Sequence, residues 1–194
     1  MTCSRYTESD SGRIKVVTSA TRPTGASRYV GQRIFESDTG SELMYDGSGW
    51  VIMSEPAQTW TPTWLRITVG NGTVAGWSLR SDGMCDCAVT LTCGSTTVIG
   101  TDTPAGIYAP YGFAADNWFW DQFSGRYYDV SAGQVFSGTV GVLSVPSGIL
   151  ALYADVASGS YTTLADLTAT SPYTWAAGDK LFFGGRYKMA SRYS

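Results

Sequence analysis

The stretch Met84-Cys85-Asp86-Cys87-Ala88-Val89-Thr90-Leu91-Thr92-Cys93 alternates between apolar and polar residues. Its odd-numbered positions are Cys, Cys, Val, Leu and Cys, whereas the intervening positions hold Asp, Ala, Thr and Thr. Successive side chains of a strand point to opposite faces, so this period of two predicts a strand over Met84–Thr92 with one buried face. The three thiols share that face, and we expect them to be reduced and to pack as small hydrophobic groups.

The cysteines also raise the question of a metal site or a disulfide framework, because Cys3 brings their number to four. Histidine is absent, and a Cys-x-Cys pair in the middle of a strand does not have the spacing of a zinc knuckle. The spaced carboxylates of a calcium loop are also missing, so Asp82 and Asp102 are interpreted as turn caps. We therefore predict no metal and no cofactor.

The composition favours an all-β fold. Only 15% of the residues are charged, and the chain has 23 glycines. Short strands joined by glycine-containing turns have this balance. Gly70-Asn71-Gly72 predicts a hairpin between strands at Trp64–Val69 and Thr73–Leu79. A helical turn or two is expected only at Thr162–Leu167. Further strands are predicted at Arg126–Val130, Gln134–Val140, Ile149–Val156 and Lys180–Tyr187. Such a set of strands is typical of a β-sandwich or jelly roll.

Turn signals divide the 194 residues into four regions. Residues 1–28 are polar and are predicted to form an extended arm, with one strand at Arg13–Val17. Residues 29–54 are predicted to form a small β docking module with strands at Gln32–Glu36, Glu42–Tyr45 and Trp50–Met53, in which Tyr45 and Trp50 form a cross-strand aromatic pair. Residues 55–59 are interpreted as a hinge. Residues 60–194 are predicted to form the head domain.

The charge pattern excludes some partners. The net charge is −3, and the thirteen Lys and Arg residues are scattered singly, so we expect no binding of nucleic acid. The first residues lack the apolar core of a signal peptide, and no segment is long and apolar enough to span a bilayer, so no membrane insertion is expected.

Several motifs resemble those of known virion proteins. The strings Ala20-Thr21-Arg22-Pro23-Thr24, Tyr29-Val30-Gly31-Gln32-Arg33-Ile34-Phe35-Glu36-Ser37-Asp38-Thr39-Gly40 and Tyr45-Asp46-Gly47-Ser48-Gly49-Trp50-Val51 resemble a module found in virion proteins of tailed phages of actinobacteria. Trp60-Thr61-Pro62-Thr63-Trp64, followed by Gly70-Asn71-Gly72-Thr73-Val74, is similar to the entry of the β domain in phage minor tail proteins and fibre heads.

This resemblance implies a non-enzymatic structural protein on the virion surface. The leading expectation is a tail-associated protein, part of a tail tip or fibre, that forms a homotrimer and contacts other tail proteins. A capsid decoration or head-fibre protein that binds the major capsid protein is the alternative. A polysaccharide depolymerase is a lesser alternative.

The densest aromatic stretch, residues 108–123, supplies the candidate site residues. Aromatic rings beside acid and amide groups can stack on sugars, as contact with a host cell-surface glycan would need. Packing in the core or at a subunit interface is the favoured interpretation, because both environments favour large aromatic residues. The candidates are Tyr111, Trp118, Phe119, Trp120 and Asp121.

No catalytic residue is predicted. The lack of histidine removes the common nucleophilic triads. A glycosidase needs only two carboxylates, for which Asp116, Asp121 and Asp129 are the candidates. Phage depolymerases, however, are usually longer and built from β-helical repeats, and no internal repeat is present here.

Overall fold

The computed structural model describes residues 14–100, 104–112, 123–144, 148–158 and 160–189. These residues form strands and short turns, and the helical segments among them are two 3-10 turns, Ser19–Thr21 and Gly25–Ser27. The all-β class is therefore confirmed. Within the described residues there is no helix with the length and apolar character needed to cross a membrane.

The first part of the chain forms a small sheet with its own core. Its strands are β1 (Lys15–Val17), β2 (Arg33–Glu36), β3 (Ser41–Tyr45) and β4 (Trp50–Ser54). β1 pairs in parallel with β2, and the other neighbours are antiparallel. The core of this small sheet consists of Val17, Ile34, Leu43, Trp50 and Ile52. Tyr45 lies opposite Trp50 with ring centroids 5.5 Å apart, so the predicted aromatic pair is confirmed.

The second part is a larger antiparallel sheet. The strands of this second part are β5 (Gln58–Thr59), β6 (Trp64–Leu65), β7 (Ile67–Thr68), β8 (Thr73–Ser81), β9 (Met84–Thr92), β10 (Val98–Ile99), β11 (Gly106–Tyr108), β12 (Phe123–Asp129), β13 (Gln134–Ser144), β14 (Ile149–Ser158), β15 (Tyr161–Asp166) and β16 (Lys180–Lys188). β7 and β10 form a separate two-stranded sheet. The strand order is β8-β9-β16-β12-β13-β14-β11-β6, with β15 added beside β14. β9 has the predicted bounds.

One short segment joins the two edges of this larger sheet. β5 pairs with β8 at one edge, and β6, five residues further along the chain, pairs with β11 at the other. Trp60 N also donates to Gly76 O over 2.9 Å, and Tyr108 N donates to Thr63 O over 2.9 Å. The sheet therefore curls around a single core, and the alternating side chains of its strands fill that core.

The predicted hairpin at Gly70-Asn71-Gly72 is wrong. β7 pairs with β10, whereas β8 pairs with β9 in a nine-residue ladder. Asn71 instead binds the loop after β9: its Oδ1 accepts from Thr96 N at 3.0 Å, and its Nδ2 donates to Ser95 Oγ at 3.0 Å. A Cβ added to Gly70 would lie 2.3 Å from Thr96 O, so close loop packing accounts for this glycine. Turn chemistry predicts a reversal of the chain, but not which strands then pair.

Two other predicted elements differ from the structure. The helical turn predicted at Thr162–Leu167 is wrong, because Tyr161–Asp166 is strand β15 and pairs with β14. The predicted strand Trp64–Val69 is divided into β6 and β7 by Arg66, which has a φ of 59°. This left-handed residue redirects the chain, so β6 and β7 pair with different strands.

The described part of the predicted arm lies against the small sheet. Val17 belongs to the core, and Trp50 Nε1 donates to Pro23 O at 3.4 Å. Ser19 N donates to Asp38 Oδ1 at 2.9 Å. The segment is polar, as predicted, yet its polar groups find partners on the sheet, so residues 14–28 fold with residues 29–54.

Candidate functional site

A cleft in the described residues lies between the small sheet and β8. Its volume is about 530 Å³. Its lining contains two arginines, three acids and several smaller side chains: Arg22, Glu36, Asp38, Thr39, Ser41, Leu43, Ile52, Glu55, Gln58 and Arg80. The cleft is therefore polar, and it is lined by residues of the arm, the small sheet, the predicted hinge and β8.

The pair Glu55–Arg80 forms one wall of the cleft. Glu55 is only 7% exposed. Its carboxylate accepts from Arg80 N at 3.1 Å, from Nε at 2.8 Å and from the terminal guanidinium nitrogen at 2.7 Å. Two-point guanidinium–carboxylate contact is the strong geometry for such a pair. The segment predicted as a hinge is thus bound to β8 through Glu55. Its last two residues form β5, which also pairs with β8.

The pair Arg22–Glu36 also lines the cleft. Glu36 is 1% exposed and accepts from Arg22 Nε and, at 3.0 Å, from Thr39 Oγ1. Asp38 at the rim accepts from both the backbone N and the hydroxyl of Ser19. These Ser19 hydrogen bonds, the hydroxyl first, lower the pKa of the Asp38 carboxyl.

Both buried glutamates of the cleft are paired with arginines. Glycoside hydrolysis needs one carboxyl that can give a proton and one that is free to act as base or nucleophile. Glu36 and Glu55 are each already hydrogen-bonded to an arginine guanidinium, which stays protonated, so neither carboxylate is free for such a role. Each pair connects two segments of the chain beside the cleft.

Tyr111 is the one predicted site residue that the structure describes. Its ring lies under the Arg80 guanidinium, with the carbon at the guanidinium centre 4.8 Å from the ring centroid. Its backbone N donates to Tyr187 Oη and its carbonyl accepts from the same hydroxyl, both at 2.9 Å. Tyr111 is half-buried at this junction. Trp118, Phe119, Trp120 and Asp121 lie outside the described residues, as do Asp102 and Asp116.

The cysteines of β9 occupy the predicted positions. Cys85 and Cys87 are 0% and 2% exposed, and Cys93, just beyond the strand, is 5% exposed; all three are free. Burial raises the pKa of the Cys93 thiol to about 11, and a hydrogen bond with Cys85 together with burial raises that of Cys87. Their burial on one face is confirmed. Among the described residues, His, Cys, Asp and Glu side chains do not converge in a group of three or more.

The acidic candidates that the structure describes lie at turns. Asp129 accepts from Ser131 Oγ at 2.7 Å and from Ala132 N at 2.9 Å, and these bonds, the one from Ala132 first, lower the pKa of its carboxyl. Asp82 has a φ of 49° in the turn between β8 and β9. Asp129 and Asp82 therefore occupy turn positions.

Sequence reasoning missed the acid–arginine pairs and one buried acid. Glu55 and Arg80 are 25 residues apart, so no local pattern relates them. Asp179 is completely buried; it accepts from Val130 N at 2.9 Å and from Ala176 N at 2.7 Å, which ties the β12–β13 turn to the loop before β16. Neither the low content of charged residues nor any local sequence pattern indicated these contacts.

Comparison with known proteins identifies no relative: no family model matches the chain, and neither a curated protein nor a solved structure matches it.

Proposed function

We propose that this chain is a non-enzymatic structural protein of a tailed-phage virion, associated with the tail, and that its small sheet attaches it to the particle. The motif resemblance supports the virion assignment. The observation that carries the attachment role is an apolar face on the outside of the small sheet. Ile14, Val16 and Phe35 form this attachment face, with exposures of 45%, 66% and 38%. Val16 pairs directly with Phe35 across β1 and β2.

The attachment face adjoins an open sheet edge. β1 stands at the end of the strand order, so one side of its backbone carries no strand from the described residues. Unpaired strand edges are a recurrent means of binding another chain, because the partner's backbone continues the ladder. An apolar face beside such an edge therefore suits a tail protein as partner, and the major capsid protein in the alternative arrangement.

The non-enzymatic assignment is supported by the cleft. Its buried glutamates are held by arginines, and its geometry joins two parts of the chain. A capsid decoration or head-fibre protein remains the second candidate, since an anchored small module with a projecting β domain serves either position. A depolymerase is the third, and it has less support because of the engaged carboxylates.

We further propose that the chain acts as a homotrimer at the virion surface. Large apolar side chains of β15 are exposed, namely Tyr161 at 76% and Leu164 at 54%. Exposed apolar surface of this kind is a common property of chains that assemble.

The test is incorporation into particles of the phage that encodes the chain. We expect full-length protein with Val16→Glu or Phe35→Glu to fold and yet to be lost from purified particles, because a carboxylate cannot be buried against an apolar partner without cost. Val135→Glu is the control, since Val135 is as exposed as Val16 but lies on the larger sheet. Antibody labelling of the particles in the electron microscope then distinguishes tail from capsid.

Normal incorporation of both charged variants of the small sheet would contradict the attachment role. Absence of the wild-type chain from purified particles would contradict the virion assignment itself.

A further inference from the structure

A second concave surface lies on the outer face of the larger sheet, away from the polar cleft. It is a groove of about 250 Å³ across β8, β9 and β16. Trp77 and Phe182 line the groove and are 45% and 41% exposed, although large aromatic side chains are on average well buried. The side chains between them are small, and no charged residue lines the groove.

The strand register explains how this groove forms. Trp77 pairs with Ala88, which pairs in turn with Gly184 of β16. Phe182 pairs with Thr90, which pairs in turn with Ala75 of β8. Paired residues project on the same face, so Trp77 lies beside Ala88 and Phe182 lies beside Thr90, while Gly184 and Ala75 are one strand further away. A Cβ at Gly184 would come within 3.1 Å of the Ala88 Cβ, which shows how closely this floor is packed.

Hydroxyl groups accompany the aromatic rings. Thr90 belongs to the groove lining, and Thr59 of β5 pairs with Trp77 on the side away from Ala88. A threonine hydroxyl can donate one hydrogen bond and accept others. The surface therefore combines two flat apolar rings, a shallow uncharged floor and hydroxyl groups that suit either hydrogen-bonding direction.

We propose that this groove binds a neutral pyranose carbohydrate. A pyranose ring has an apolar face of C–H bonds, which packs on an aromatic ring, and an edge of hydroxyls, which needs neutral donors and acceptors. The diagonal placement of Trp77 and Phe182, two strands and two residues apart, corresponds to about 12 Å between their Cα atoms. Two rings so placed contact an oligosaccharide at two sugar units, and the small residues between them leave room for the chain.

A sugar fits this surface better than a second copy of the protein does. A stable protein interface buries roughly 800 Å² on each partner and has an apolar centre. Around this groove the same face of the sheet presents hydroxyl residues, namely Thr73, Thr92, Ser124, Ser137 and Thr139, and charged residues, namely Asp86, Arg126, Lys180 and Arg186. An anionic ligand is disfavoured because no cation lines the groove: Arg126 and Lys180 lie beyond Phe182, and Arg186 is 3.7 Å from Asp86.

The biological meaning of the inference, contact with a host-surface glycan, rests on the proposed function, but the binding itself does not. Binding is measured on the purified full-length chain, whereas the virion assignment is measured by particle incorporation. Failure of one test therefore leaves the other interpretable.

The experiment is calorimetric titration of the full-length chain with neutral cello-, malto- and galacto-oligosaccharides, and with oligogalacturonate as the acidic probe. We expect at least one neutral series to bind. Trp77→Ala and Phe182→Ala should each weaken that binding by about tenfold, since each removes one stacking surface. Ala88→Leu should weaken it as well, because the larger side chain occupies the floor while both rings remain.

Tyr128→Ala and Arg126→Ala are the matched controls. Tyr128 is exposed on the same face but does not line the groove, so its loss should leave the affinity unchanged. The inference is overturned if no neutral oligosaccharide binds, if only oligogalacturonate binds and Arg126→Ala abolishes it, or if neutral binding survives in both Trp77→Ala and Ala88→Leu.

Discussion

Arg80 contacts two distant parts of the chain at once. Its guanidinium binds the Glu55 carboxylate, and its flat face covers the ring of Tyr111. The hydrogen bonds and charge of Glu55 raise the pKa of Arg80 in spite of burial, which acts in the opposite direction. The side chain thereby connects the segment after the small sheet with β8 and with the loop after β11.

We expect Arg80→Ala to lower the free energy of unfolding by about 2 kcal/mol, because it leaves the Glu55 carboxylate buried without its partner. Denaturant unfolding of the full-length chain measures this. Arg186→Ala is the control: Arg186 lies 3.7 Å from Asp86 in a more exposed pair, so its loss should cost less than about 1 kcal/mol. Equal effects of the two substitutions would contradict the role assigned to Arg80.

The buried thiols give a second prediction at the residue scale. In the native chain we expect Cys85, Cys87 and Cys93 to resist an alkylating reagent near pH 8 and to react fully after denaturation, because all three side chains are buried from the reagent. For Cys87 and Cys93 a raised pKa also lowers the fraction of thiolate, which is the reactive form. The folded pKa of Cys93, about 11, lies above its ordinary value of 9.0. Burial of this neutral thiol therefore stabilises the fold below pH 9, and the contribution is lost as the pH rises toward about 11.

Peptide mapping by mass spectrometry identifies which cysteine reacts. Rapid native labelling of any of the three, or a mass two units low for a peptide pair in a non-reduced digest, would contradict the assignment as reduced core thiols. Stoichiometric zinc in the purified chain would contradict it also.

At the scale of elements, β15 is unusual for an edge strand. Five of its six residues are exposed on one face or the other, and Tyr161-Thr162-Thr163-Leu164-Ala165 carries no charge. Natural edge strands are usually short, charged or covered, since an open edge pairs readily with another chain. Within the proposed trimer, this edge is therefore the first place to look for contact between copies.

We expect Leu164→Lys to lower the average mass of the purified chain in light scattering at micromolar concentration, because a buried lysine at a strand-to-strand contact is unfavourable. Val98→Lys is the control, since Val98 of β10 is 57% exposed, close to the 54% of Leu164. A wild-type chain that is monomeric under these conditions would contradict the oligomer. An unchanged mass for Leu164→Lys would place the contact elsewhere.

At the scale of the whole molecule, the two cores are built from separate stretches of the chain. The larger core uses residues between Trp60 and Met189, and the smaller one uses residues between Val17 and Ile52. The two sheets are continuous through β4 and β8, where Ser54 pairs with Ser81. The other contacts lie in the same short stretch: Met53 O accepts from Asp82 N and from Ser81 Oγ, both at 3.2 Å, and Glu55 binds Arg80 through its backbone N and its carboxylate. Few contacts across a boundary are typical of parts that fold independently.

We expect a truncated chain of residues 55–194 to be soluble, to melt cooperatively and to be absent from particles in a complementation assay. A chain starting at Gln58 should melt at a lower temperature, because Arg80 then lacks Glu55. Circular dichroism measures both transitions. Failure of the 55–194 chain to fold would show that the two cores depend on each other. Its incorporation at wild-type copy number would show that the larger sheet makes the attachment.

Local patterns in the sequence were sufficient to predict the all-β class, the bounds of β9 and the burial of its thiols. Alternation in Met84–Thr92 is a local property, and one slip of register would expose every apolar side chain of that strand. The Tyr45–Trp50 pair was equally predictable, because four residues of turn separate its members. Similar local patterns located β8, β12, β13, β14 and β16 to within a few residues.

Neither the pairing of the strands nor the contacts between distant side chains could be predicted from the sequence. The turn at Gly70-Asn71-Gly72 packs against the loop after β9, and β7 turns aside to β10. Tyr161–Asp166 becomes a strand because β14 offers it a free edge. Glu55 with Arg80, and Trp77 with Phe182, are brought together by pairings across the sheet. The physical reason is that strand pairing is non-local: a residue's own neighbours set the face on which it lies, but the partner strand sets what it touches.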